Sequence, residues 1–103
     1  RDYVYVDDVV NAMAAAATAP GINQKVINVG SGQETSVREL VNLVLDVTGG
    51  KPEVVYNPRN EGIPRRMCAD LTQALQLLAY QPAVDLKTGL RLTLEKDKRL
   101  RQK

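Results

Sequence analysis

Gly30-Ser31-Gly32 is the stretch in which residue type and spacing come nearest to a ligand-holding motif. A dinucleotide fold needs a glycine-rich turn between strand and helix, so that main-chain N–H groups at the helix start meet a pyrophosphate. Here a third glycine is missing at the required spacing, and Ser36 rather than a glycine turn opens the next helical pattern. The pair therefore reads as a packed or substrate-facing loop, and no cofactor is expected to bind in this chain. Nucleophilic and metal chemistry have no material. The chain has no His and one Cys, which excludes Ser-His and Cys-His pairs and the usual zinc sites. Cys68, between Met67 and Ala69, reads as a small buried apolar residue. Arg65 and Arg66 are adjacent, point to opposite faces if extended, and read as solvated charges.

The elements carrying these residues follow from punctuation and period. Three short β-rich runs, at residues 3–6, 25–29 and 53–56, read as strands, and residues 66–68 as a brief fourth. Asp7 or Asp8 reads as the N-cap of a helix carrying Val10, Met13, Ala14 and Ala17 on its inner face and stopped by Pro20-Gly21. Ser36 and Glu39 have capping-box spacing before a second helix, with Val37, Leu40, Val41, Val44 and Thr48 on one face and Gly49-Gly50 at its end. Asp70 with Gln73 suggests a second capping box, before Leu71, Ala74, Leu75 and Leu78. Asp85 opens a last helix with Leu86, Leu90 and Leu94 turned inward. The fold expected is α/β, about three short strands and four helices, which is few strands for a self-contained doubly wound sheet.

The 103 residues fit one small domain with an aliphatic core, since there are four Tyr and no Phe or Trp. The net charge of +2 is uneven: residues 96–103 hold five basic groups and one acid, leaving residues 1–95 slightly acidic. A near-neutral body with one basic end lacks the cationic face that nucleic-acid binding requires. The basic end reads as a solvated, helix-terminating segment. With one cysteine, no apolar run of membrane-spanning length and no signal-peptide pattern, a cytoplasmic setting without membrane attachment is expected. Beginning inside a strand-like run, the chain is expected to be part of a longer polypeptide.

Several of these stretches, in order, resemble one family. Arg1-Asp2-Tyr3-Val4-Tyr5-Val6-Asp7-Asp8-Val9 is similar to the RD(Y/F)xxVxD(V/L) segment of extended short-chain dehydrogenases/reductases of the nucleotide-sugar epimerase/dehydratase type. Asn28-Val29-Gly30-Ser31-Gly32 followed by Thr35-Ser36-Val37-Arg38-Glu39-Leu40 resembles the family's NVGSG and TS(V/L)xEL stretch. Pro58-Arg59-Asn60-Glu61-Gly62 resembles its PxRxGD loop, and residues 68–74, 78–82 and 86–90 resemble its remaining C-terminal motifs.

The resemblance implies that residues 1–103 are the C-terminal, substrate-binding part of an enzyme whose N-terminal Rossmann domain, holding NAD or NADP, is not in this chain. It implies a nucleotide-diphosphate sugar as ligand, with Arg1 and Arg59 on the diphosphate and Tyr3 beside them; a guanidinium fork matches paired phosphoryl oxygens in a bidentate way. The family's hydride chemistry uses a Tyr tuned by a Lys four residues later. Tyr3, Tyr5, Tyr56 and Tyr80 are followed at that spacing by Asp7, Val9, Asn60 and Val84, so no catalytic residue is expected and the chain alone should not turn over substrate. Ile63 stands where the family often has Asp after the loop glycine, and Ala79 where it has Gly. A rival reading is an autonomous interaction module that homodimerises through the apolar surface a Rossmann partner would cover.

Overall fold

The structure is a computed structural model, and it describes residues 1–58, 62 and 66–100. Among the described residues four helices succeed one another: α1 (Val6–Thr18), α2 (Val37–Thr48), α3 (Thr72–Leu78) and α4 (Leu86–Lys96). They pack in two pairs, α1 on α3 and α2 on α4. The core is small. Ala12, Ala74, Leu78 and Tyr80 are buried, flanked by half-buried residues that include Ala15, Ala16, Ala19, Ile27, Val29 and Leu71.

No strand exists among the described residues, which corrects the expected α/β fold with three short strands. Residue type favours extended backbone, but a strand is defined by its ladder, and a ladder needs a neighbour. Arg1 and Thr35 exchange two main-chain hydrogen bonds, each 2.9 Å, through the chain-terminal ammonium and the Thr35 N–H, and no second rung follows. Residues 53–56 all face solvent, Val54 least. Residues 25–29 keep one mark of a strand: Val26 and Asn28 are exposed while Ile27 and Val29 turn toward the core.

Helix starts follow local chemistry with two corrections. In α2 both halves of the Ser36–Glu39 capping box form: the Glu39 N–H donates to Ser36 Oγ at 3.1 Å, and the Ser36 N–H donates to Glu39 Oε2 at 2.7 Å. Gly49 ends the helix at φ 70°, in the left-handed region where a side chain is strained. Asp85 caps α4 by accepting from the Thr88 N–H at 2.8 Å. Asp70, by contrast, is no N-cap. It accepts from the Thr72 N–H (2.9 Å) and hydroxyl (2.6 Å), and α3 starts after Leu71. Asp8 is likewise inside α1, not before it. Its buried carboxylate accepts from the Ala83 and Val84 N–H groups at 3.0 and 3.1 Å, pinning the segment before α4 to α1.

The faces of α1 are reversed relative to the sequence reading. Val10, Met13, Ala14 and Ala17 are exposed, and the opposite stripe of Asp8, Ala12, Ala15, Ala16 and Ala19 faces the protein. Small side chains let α3 approach closely, and the Asp8 hydrogen bonds lock that orientation. Among the described residues no helix is long and apolar enough to cross a membrane.

Candidate functional site

Asp2 is the node of the first segment. Its Oδ1 accepts from the Ser31 N–H at 2.7 Å and the Ser31 hydroxyl at 2.6 Å, and its Oδ2 accepts from the Gly32 and Ala69 N–H groups, each at 3.0 Å. One carboxylate thus joins three stretches far apart in sequence. Burial opposes its ionisation, but the hydrogen bonds from Ser31, Ala69 and Gly32 outweigh burial and lower its pKa below the usual value. Gly30 is the residue that permits the approach. A Cβ there would lie 2.7 Å from Asp2 Oδ2 and 2.8 Å from Ala69 Cβ. Tyr80 closes the loop from behind, its hydroxyl donating to the Gly30 carbonyl at 2.7 Å. Burial first, then the Asp8 and Asp2 charges, raises the Tyr80 pKa and keeps it a donor.

Two clefts open on either side of this node. One of about 390 Å³ is lined by Arg1, Asp2, Val4, Asn28, Gly30 and Cys68, among others. The second, about 230 Å³, is lined by Tyr3, Ser31, Gln33, Thr35 and residues 82–86. Arg1 and Tyr3, named together from the sequence, therefore line different clefts, with Asp2 between them. Arg59, the third predicted ligand residue, lies outside the described residues, as does Arg65. Arg66 is held by Glu34: its Nε donates to Glu34 Oε1 at 2.8 Å and its Nη2 to Oε2, so it is committed to a carboxylate within the chain. Cys68 is exposed on the larger cleft rather than buried, because the segment that carries it has no strand partner to cover it.

The glycine loop does not fit a dinucleotide pyrophosphate. The Ser31 and Gly32 N–H groups, which such an anion would need, are bonded to Asp2, and the N-terminus of α2 is answered by Ser36 and Glu39. Among the described residues no cluster of His, Cys, Asp or Glu could hold a metal ion. Sequence reasoning missed Asp2 and Tyr80 as organisers. The available signal was an Asp followed at long range by two glycines one residue apart, whose bare main chain can be approached by a carboxylate.

No protein-family model matches the chain. It is 42% identical over 95 residues to the UDP-glucose 4-epimerase of Mycolicibacterium smegmatis, a match covering 92% of this chain and 30% of that protein. It is 37% identical over 95 residues to the dTDP-glucose 4,6-dehydratase of Streptomyces griseus, covering 91% and 29%. The solved structure of UDP-glucose 4-epimerase with UDP-glucose from Thermotoga maritima superposes with a TM-score of 0.85 at 42% identity, covering 92% of this chain and 30% of that one. The chain thus spans about 30% of the length of the relatives it matches.

Proposed function

We propose that the chain belongs to the NAD-dependent nucleotide-sugar epimerase and dehydratase family, on its similarity to members of it, and that within such an enzyme residues 1–103 form the C-terminal, substrate-binding part. The observation that carries this reading is the 42% identity spanning 92% of the chain, shared with a protein whose structure contains UDP-glucose. The ligand is a nucleotide-diphosphate sugar. Arg1 and Arg59 contact its diphosphate, and Tyr3 lies beside them. A guanidinium offers paired donors to phosphoryl oxygens. The Asp2 carboxylate supports this assignment, because four hydrogen bonds on the residue between Arg1 and Tyr3 restrict where both side chains can reach.

The whole enzyme transfers hydride reversibly between NAD or NADP and a sugar carbon, in epimerisation or dehydration. This chain contributes ligand contacts and leaves proton and hydride transfer to the Rossmann portion, since none of its tyrosines has a Lys four residues on. Titration of UDP into the enzyme that carries this sequence tests the reading. Arg1→Ala and Arg59→Ala should each weaken UDP binding about tenfold or more, the loss expected for a charge-assisted bidentate contact worth ~1.5–3 kcal/mol. Unchanged affinity in both variants refutes the assignment. The isolated chain should show no interconversion of UDP-glucose and UDP-galactose in a coupled assay.

A further inference from the structure

We propose that the Glu34–Arg66 ion pair is a positioning clip for the ligand of the larger cleft. It holds residues 67–69 in place as a wall beside Arg1, and Arg66 itself stays off the phosphoryl groups. This role rests on the reading of Arg1 as a diphosphate contact and adds what fixes the space in which Arg1 works.

The cleft of about 390 Å³ is lined by Arg1, Asp2 and Gly30 from two stretches of chain and by Met67, Cys68 and Ala69 from a third. Residues 66–68 belong to no helix or strand, and among the described residues their N–H and C=O groups have no main-chain partner. Exposed backbone of this kind opens readily unless its ends are held.

One end is held at Ala69. Its N–H donates to Asp2 Oδ2 at 3.0 Å, and it stands so near Gly30 that a Cβ built there would lie 2.8 Å from the Ala69 Cβ. The other end is Arg66. Its Nε donates to Glu34 Oε1 at 2.8 Å and its Nη2 to Oε2, a two-point contact that fixes direction as well as distance. Glu34 precedes Thr35, whose N–H and carbonyl bond the main chain of Arg1, each at 2.9 Å. The carboxylate that receives Arg66 is thus one residue from the group that holds Arg1. An extended chain from Arg66 to Ala69 spans about 10 Å, so with both ends tied the wall has little slack.

The same contact makes Arg66 a tie and not a ligand. Hydrogen bonding from Arg66 outweighs desolvation and, with the Arg66 charge, holds the Glu34 carboxyl below its ordinary range, so the carboxylate is ionised at neutral pH. A phosphoryl group would have to displace it from both guanidinium positions. The Arg66 side chain is 80% exposed and that of Glu34 34%, and an exposed ion pair adds little to global stability. Its loss therefore acts on the wall, not on the fold.

UDP titration of the enzyme that carries this sequence, with amide hydrogen exchange and thermal unfolding, tests the clip. Glu34→Gln and Arg66→Gln should each weaken UDP binding about three- to fivefold, speed exchange of the Ala69 amide by a similar factor and leave the unfolding midpoint unchanged, the scale of an exposed ion pair. The exchanged pair, Glu34→Arg with Arg66→Glu, should bring affinity and exchange back to within about twofold of the unsubstituted enzyme. Lys87→Ala, which breaks the exposed Lys87–Asp46 pair between α4 and α2, should alter neither. Where UDP binding depends on Arg1, the proposal is overturned if Glu34→Gln strengthens that binding or leaves it unchanged, or if Lys87→Ala weakens it equally. An exchanged pair that binds as weakly as the single variants marks Arg66 as a phosphate contact and also overturns it. The Ala69 amide reads the clip without UDP. Unchanged UDP affinity in Arg1→Ala and Arg59→Ala, with an amide that follows the clip, sinks the functional reading alone; arginine-dependent UDP binding with an amide indifferent to Glu34→Gln sinks the clip alone.

Discussion

Asp2 is the residue on which the candidate site turns, because its carboxylate satisfies four donors from two other stretches of chain. Ionised, it holds them; protonated, it loses acceptor capacity and releases at least part of the clamp. Its pKa is lowered in the folded state, so the stability it contributes is present above the unfolded value of about 3.9 and is lost as pH falls through the folded value. Thermal unfolding followed from pH 6 to pH 3 should show a fall in midpoint at the acid end, and Asp2→Asn should flatten that fall while lowering stability near neutrality by ~1–3 kcal/mol. Tyr80 works in the other direction. Its folded pKa is raised, so its contribution is intact below the unfolded value of about 10 and is lost as pH climbs through the folded one. Neither role was legible in a residue-by-residue reading, because both depend on partners 29 to 67 positions away.

At the scale of elements, chemistry confined to a single turn was readable and chemistry between elements was not. Ser36 with Glu39 and Asp85 with Thr88 cap as their spacing predicts, since donor and acceptor lie within three residues. Asp70 had a competing local bond to Thr72 and took it, which moved the start of α3. The end of α3 carries a local conflict. Ala79 occupies the left-handed region at φ 51°, and the Tyr80 N–H reaches back to the Ala74 carbonyl at 3.1 Å. A glycine carries no Cβ penalty there, so Ala79→Gly should stabilise the chain by up to ~1 kcal/mol, seen as a higher urea midpoint at unchanged slope. An unchanged or lower midpoint contradicts the argument.

For the whole molecule the decisive quantity is how little is buried. Among the described residues Ala12, Ala74, Leu78 and Tyr80 form the buried core, and an extended surface remains that a compact protein of this mass would not expose. The slope of urea unfolding tracks the area newly exposed. For this chain alone it should be about a quarter smaller than for a compact domain of equal mass. A slope at the usual value would mean that the chain closes on itself in solution and would count against an open α1 face.

The amino-acid sequence by itself determined the four helical stretches, the caps of α2 and α4 and the likeness to one family, because these depend on side chains a few positions apart and on motifs that follow one another in order. Its reading of residues 25–29 as a strand is corrected by the structure. Only the tertiary structure decided that residues 25–29 form no strand among the described residues, that α1 turns its larger apolar stripe outward, and that the chain's own Asp2 carboxylate takes the N–H groups of the glycine loop. Those outcomes are long-range pairings, in which each group's partner is chosen by competition among everything within reach, and a linear reading does not contain that competition.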